Sequence, residues 1–267
     1  MSSSFPTLRQ GVAALRPRDL WAIGLGLFGA TLLSWIYLVG LAGDMERMSA
    51  TGMMKLRPWE ARDFLLMFVM WAVMMVGMMV PSATPTALLY ASVARKAKGQ
   101  GSPVAPTFVF VTGYVALWAL FSVVATAGQW GLERAALLSP GMASASPQLS
   151  GLLLIGVGLY QLTPAKQACL DHCRSPARFM AEHWHPGHFG ALRMGAIHGA
   201  FCLGCCWFLM ALLFFGGVMD LLWIAGLTIF VLVEKLLPHG ARVARGSGIV
   251  LLVAGLTILI DAVRQVA

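Results

Sequence analysis

Charge is scarce in this sequence. Asp, Glu, Lys and Arg together make up 11% of its 267 residues, where a soluble domain carries about 25%. Hydrophobic residues reach 58%, against about 45–50% in such a domain. An ordinary cytosolic or secreted domain is excluded, and no polar run is long enough to bury a core of its own, so the bilayer is the solvent to consider. Internal repeats are missing, and low complexity stops at Met1-Ser-Ser-Ser. No ATP-binding or hydrolytic motif occurs, so no catalytic residue set is expected, and any transport would be passive or driven by a partner.

What is there is a series of apolar runs. A helix crosses a bilayer with roughly 20 mostly apolar residues. Five segments qualify plainly: about Leu20 to Ala42, Phe64 to Tyr90, Pro106 to Gly128, Ser146 to Thr163 and Met194 to Gly217. Two less secure ones follow, about Val218 to Leu237 and Gly246 to Val263. The expected fold is all-α, a polytopic membrane bundle of about seven helices. Residues 1–19 form its cytoplasmic leader and residues 20–267 a single transmembrane domain.

The first span exceeds the apolar stretch of a cleaved signal peptide, about 7–15 residues, and is expected to remain as an anchor. With the N-terminus inside, Arg95, Lys96, Lys98, Lys166, Arg174, Arg178, Arg193, Lys235, Arg242 and Arg245 gather on the cytoplasmic side, as the positive-inside rule asks. The net charge of +8 then reads as topology and attraction to membrane lipid, with no soluble basic face for nucleic acid. The expected place is a membrane that the chain crosses several times, with its N-terminus on the cytoplasmic side.

The second span carries methionine at 67, 70, 74, 75, 78 and 79. Residues three and four apart share a helix face, so Met67, Met70, Met74 and Met78 form one stripe, thickened by Met75 and Met79. Thioether sulfur is a soft neutral ligand suited to Cu(I), and a ladder of it would let a soft cation step through a dry region. Met45, Met48, Met53 and Met54, with Asp44 and Glu46, stand in the loop Gly43 to Arg62, where they could collect the ion. The plainer reading is that methionine fills irregular gaps between helices. Pro81-Ser-Ala-Thr-Pro85 marks either an irregular backbone lining a cavity or the end of the helix near Ser82.

All five cysteines fall in two short stretches. If the fourth helix continues past Pro164, Cys169, His172 and Cys173 share a face at i, i+3 and i+4. His198, Cys202, Cys205 and Cys206 repeat the pattern in the fifth span. Both groups are expected at the cytoplasmic ends of adjacent antiparallel helices, with Cys202 about two turns inside and Glu234 at the same level. Thiolate and imidazole donors suit Cu(I) or Zn(II), and Asp171 or Glu234 could orient an imidazole. His183, His185 and His188 in the loop Pro164 to Leu192 are either a metal-collecting tract or plain polar residues. Singly, such cysteines pack as small hydrophobes, and Glu234 beside Lys235 reads as a snorkelled interfacial pair. Cys202-Leu-Gly-Cys205 also has the spacing of dithiol oxidoreductases, although no thioredoxin-like pattern surrounds it.

Three stretches carry a resemblance. They are Met70 to Pro85, Leu159 to Pro176, and Met194 to Met210 with its continuation through Gly216-Gly-Val-Met-Asp220 to Glu234-Lys-Leu-Leu-Pro238. From about Phe64 onward the chain resembles a bacterial family of polytopic proteins described as predicted metal-binding integral membrane proteins. The resemblance implies a metal-binding role for Cys169, Cys173, His198, Cys202, Cys205 and Cys206. The leading expectation is Cu(I) handling, either uptake or delivery to a copper enzyme. The methionine helix would be the path and the Cys/His cluster the inner acceptor. Expected partners are the metal ion, lipid, and a copper chaperone or membrane enzyme complex. The alternatives are a membrane thiol–disulfide oxidoreductase and a structural subunit whose methionines only pack.

Overall fold

The computed structural model describes residues 15–50, 59–139 and 142–264. Met53, Met54 and most of the leader lie outside the described residues, as do the side chains of Glu46 and Met48. The described chain is all-α. Its one strand-like feature is an isolated bridge between Leu138 and Ser144. The helices are α1 (Pro17–Ala50), α2 (Ala61–Gly99), α3 (Thr107–Arg134), α4 (Pro147–Leu162), α5 (Pro164–Arg174), α6 (Pro176–His183), α7 (Gly187–Ala211), the single turn α8 (Leu213–Gly216), α9 (Leu221–Leu236) and α10 (Gly240–Arg264).

Short polar residues set the boundaries. Ser146 Oγ accepts from the Leu149 N–H at 3.1 Å ahead of Pro147, and Asp220 Oδ1 accepts from the Trp223 N–H at 2.9 Å. Both are N-caps that satisfy an otherwise orphaned donor. At Thr163-Pro164 the chain breaks, because Pro164 has no N–H to continue α4. Thr163 Oγ1 instead accepts from the Lys166 N–H at 3.2 Å and starts α5. Thus α4 does not run on past Pro164, and residues 164–192 are no loop but the helices α5 and α6 and the start of α7.

The Pro81–Pro85 segment also differs from expectation. Helix α2 continues through both prolines for 39 residues, about 58 Å at 1.5 Å per residue. Nearby hydroxyls bond its carbonyls: Ser82 Oγ to Met79 O at 2.8 Å, Thr84 Oγ1 to Val80 O at 3.2 Å, and Tyr114 OH to Met79 O at 3.1 Å. These bonds brace the turn on either side of Pro81.

Among the described residues five spans are long and apolar enough to cross a membrane: Pro17–Met45, Ala61–Gly99, Thr107–Arg134, Gly187–Gly216 and Gly240–Arg264. The expected count of seven is not confirmed, since α4 and α9 have 16 residues each, about 24 Å against a hydrocarbon core of about 30 Å. Phe28, Leu33, Leu120, Leu222, Ile229 and Val250 all face outward with most of their side chains exposed. Small residues bring the helices together, as expected where apolar surface gives no water-driven gain. At the α3–α7 crossing a Cβ on Gly195 would collide with the Phe110 carbonyl, and one on Gly113 with that of Leu192. Helices α4 and α10 meet through Gly158 and Gly248, where an added Cβ would lie 2.8 Å and 3.0 Å, respectively, from the facing carbonyl.

The interior has two parts. A larger cluster joins Met70, Met74, Met75, Met78 and Met79 of α2 to Cys202, Cys205, Cys206 and Met210 of α7, with Cys173 and Cys169 of α5 against it. A smaller one gathers Tyr90, Phe110, Phe179, Met180 and Met194 around the far end of α2.

Candidate metal centre

The methionine stripe points inward. Met70, Met74, Met75, Met78 and Met79 are fully buried and Met67, at the start, is partly buried. The register that puts these thioethers on one face also leaves Leu65, Leu66 and Val69 exposed on the other.

The stripe meets the thiols at Met79. Its Sδ lies 3.9 Å from Cys206 Sγ. Cys202 Sγ stands one helical turn back, 2.9 Å from the Tyr114 hydroxyl and 2.8 Å from Lys235 Nζ. The ammonium is also 3.8 Å from Cys206 Sγ, 4.0 Å from Met79 Sδ and 3.3 Å from Ser82 Oγ. Lys235, 5% exposed, therefore places its side-chain nitrogen among three sulfurs. Tyr114, Ser82 and Lys235 were not singled out from the sequence as members of a site. The available signal was an ionisable residue inside an apolar helix, which is rare without a role.

The neighbouring cysteine faces elsewhere. Cys205 Sγ lies 3.9 Å from Cys173 Sγ of α5, while Cys205 and Cys206 both donate to the Cys202 carbonyl, at 3.1 and 2.9 Å. Cys169 sits against Gly204, where a Cβ would come within 2.7 Å of its sulfur. All five cysteines are free thiols. Cys202 lies about 22 Å along α7 from the helix start at Gly187.

The other predicted residues are placed as follows. Glu234 and Lys235 do not snorkel; both are buried. The carboxylate of Glu234 faces Lys166, with Nζ at 2.7 Å, and accepts from Gln161 Nε2 at 2.9 Å. That network ties α9 to α5 and α4 on the side away from Met79. His198 is 2% exposed, with ring centroids 5.1 Å from Phe179, 5.7 Å from Tyr114 and 6.1 Å from Phe110. Its Nδ1 is buried without a hydrogen-bond partner among the described residues. His172 stacks flat on Phe201 at 4.1 Å, bonds Ala168 O through Nδ1 at 2.9 Å, and presents Nε2 to Glu182 at 3.4 Å. Glu182, not Asp171, is thus the carboxylate at that imidazole. The Arg178 guanidinium bonded to Glu182 holds the carboxyl below its usual range, so it stays anionic near neutral pH. Among the described residues no three His, Cys, Asp or Glu side chains converge as an ion site. The donors that do meet are thiol with thioether.

Fold and site together define a class: an all-α bundle with helices fit to cross a bilayer and a buried cluster of thiol and thioether sulfur, donors of the soft kind. Residues 68–258 match the model of PpoB2, a copper chaperone family, and the chain belongs to that family. The match takes in the methionines from Met70 onward and every cysteine. No curated protein and no solved structure matches the chain.

Proposed function

We propose that this protein is a multi-pass protein of the bacterial cytoplasmic membrane. It binds Cu(I) along the methionines of α2 and at Met79, Cys202 and Cys206, and imports the ion or delivers it to a copper enzyme. The observation that carries the reading is the 3.9 Å approach of Met79 Sδ to Cys206 Sγ, with Lys235 among the same sulfurs. It joins the end of the thioether ladder to a thiol pair. A Cu(I) ion held by two thiolates carries one net negative charge, and Lys235 offsets it where an uncompensated charge would be costly. Zn(II) is the weaker fit, because its protein ligands are thiolate, imidazole and carboxylate rather than thioether. Metal analysis of purified protein tests this. The wild type is expected to hold copper, and Cys202→Ser/Cys206→Ser to lose it; a wild type without copper would overturn the reading.

A thiol–disulfide role is the second reading, favoured by the 3.9 Å Cys173–Cys205 sulfur pair. It requires activity that follows thiol redox state in metal-free protein, whereas the copper reading requires none.

A further inference from the structure

The opposite end of the methionine stripe holds a second constellation, built by residues from three segments. Gln129 of α3 is fully buried. Its Nε2 lies 3.2 Å from Met142 Sδ, 3.7 Å from Met67 Sδ and 2.9 Å from Glu133 Oε1. Three lone-pair acceptors therefore surround one nitrogen that carries two hydrogens, so one acceptor is always short of a donor. A cation at that point would satisfy all three.

The surroundings hold these groups in place. Trp71 Nε1 donates to Gln129 Oε1 at 2.8 Å, which fixes the amide's orientation. Trp59 Nε1 donates to Glu133 Oε2 at 2.7 Å, leaving Oε1 turned toward the sulfurs. Met142 reaches the cluster from the α3–α4 connection with φ of 58°, a left-handed backbone that a side-chain-bearing residue adopts only when its surroundings impose it. Its N–H is bonded to Ser139 O at 2.8 Å, and its carbonyl accepts from the Val218 N–H at 3.4 Å. Met67, Met142 and Glu133 are each partly buried, so the group lies between the interior and its surroundings.

We propose that Met67, Met142 and Glu133 form an intake site for Cu(I) at the mouth of the α2 stripe. The Gln129 amide occupies the ion's position while the site is empty. This rests on the copper-binding function proposed above and adds where the ion is first held. Two thioethers favour a soft monovalent ion over sodium, magnesium or calcium. The single carboxylate balances one positive charge and would leave a divalent ion uncompensated. Met67 and Met70 are one turn apart, so an ion released from the intake site enters the ladder directly.

The test is equilibrium dialysis of the full-length protein in detergent against Ag(I), a redox-inert stand-in for Cu(I). Replacing Met67→Leu/Met142→Leu is expected to remove one bound equivalent from the wild type, and one also from the Cys202→Ser/Cys206→Ser variant. Glu133→Gln is expected to weaken that equivalent about tenfold, and its near-identical shape guards against misfolding. If the methionine changes leave both counts unaltered while the cysteine changes cost an equivalent, the intake site is overturned and the deep site stands. Unchanged affinity in Glu133→Gln overturns the carboxylate's part. A wild type that binds no ion overturns both.

Discussion

An ammonium group within about 4 Å of two thiols and a thioether, as at Lys235, gives up its hydration to sit there. Its value is charge balance for whatever anionic form the sulfurs take. Lys235→Met keeps an unbranched side chain of similar length but removes the charge. Copper affinity is expected to fall at least about tenfold, or about 1.4 kcal/mol, as read by competition with a Cu(I) chelator; unchanged affinity would reduce Lys235 to a packing residue. The sulfur donors around it are legible in the sequence from softness and spacing alone. The lysine is not, since a Glu-Lys pair at the end of an apolar run reads as interfacial. Its burial depends on packing that no local pattern specifies, above all on Ser82 and Cys202, far away in sequence.

Helix α2 carries the largest share of the candidate path. Its inward face was readable from the three- and four-residue spacing of the methionines. Its continuity was not, because two prolines ordinarily end or kink a helix, and the turn before Pro81 is braced partly from another helix, by Tyr114 on Met79 O. Leucine in place of methionine nearly conserves volume and is expected to cost under about 1.5 kcal/mol. Met74→Leu/Met78→Leu should therefore leave the thermal midpoint almost unmoved while copper accumulation in cells falls. Equal accumulation by variant and wild type would make the stripe packing alone. The segment after α4 departs from its sequence pattern for a related reason. Its polar composition looks like a loop, yet Thr163-Pro164 and Ser175-Pro176 each open a short helix that lies against the bundle.

At the scale of the molecule, the buried pair Lys166–Glu234 fastens the short helix α9 to α5. Both side chains are almost fully enclosed, so removing one charge strands the other. Glu234→Gln is expected to destabilise the protein by about 3–5 kcal/mol, and adding Lys166→Met should recover much of that loss. Thermal unfolding in detergent would show it, and equal stability of Glu234→Gln and wild type would contradict the role. The all-α class and the apolar character of the bundle follow from composition. The number of spans does not, because α4 and α9, at 16 residues each, are shorter than the usual crossing helix. One further consequence comes from Cys205 and Cys206, which are adjacent in the chain yet face α5 and α2 respectively. Successive residues on a helix diverge by about 100°, so a route of sulfurs descending α2 would bend sideways here. The two neighbouring thiols therefore address different helices, Cys205 the α5 side and Cys206 the α2 side, and each can be varied against its own partner.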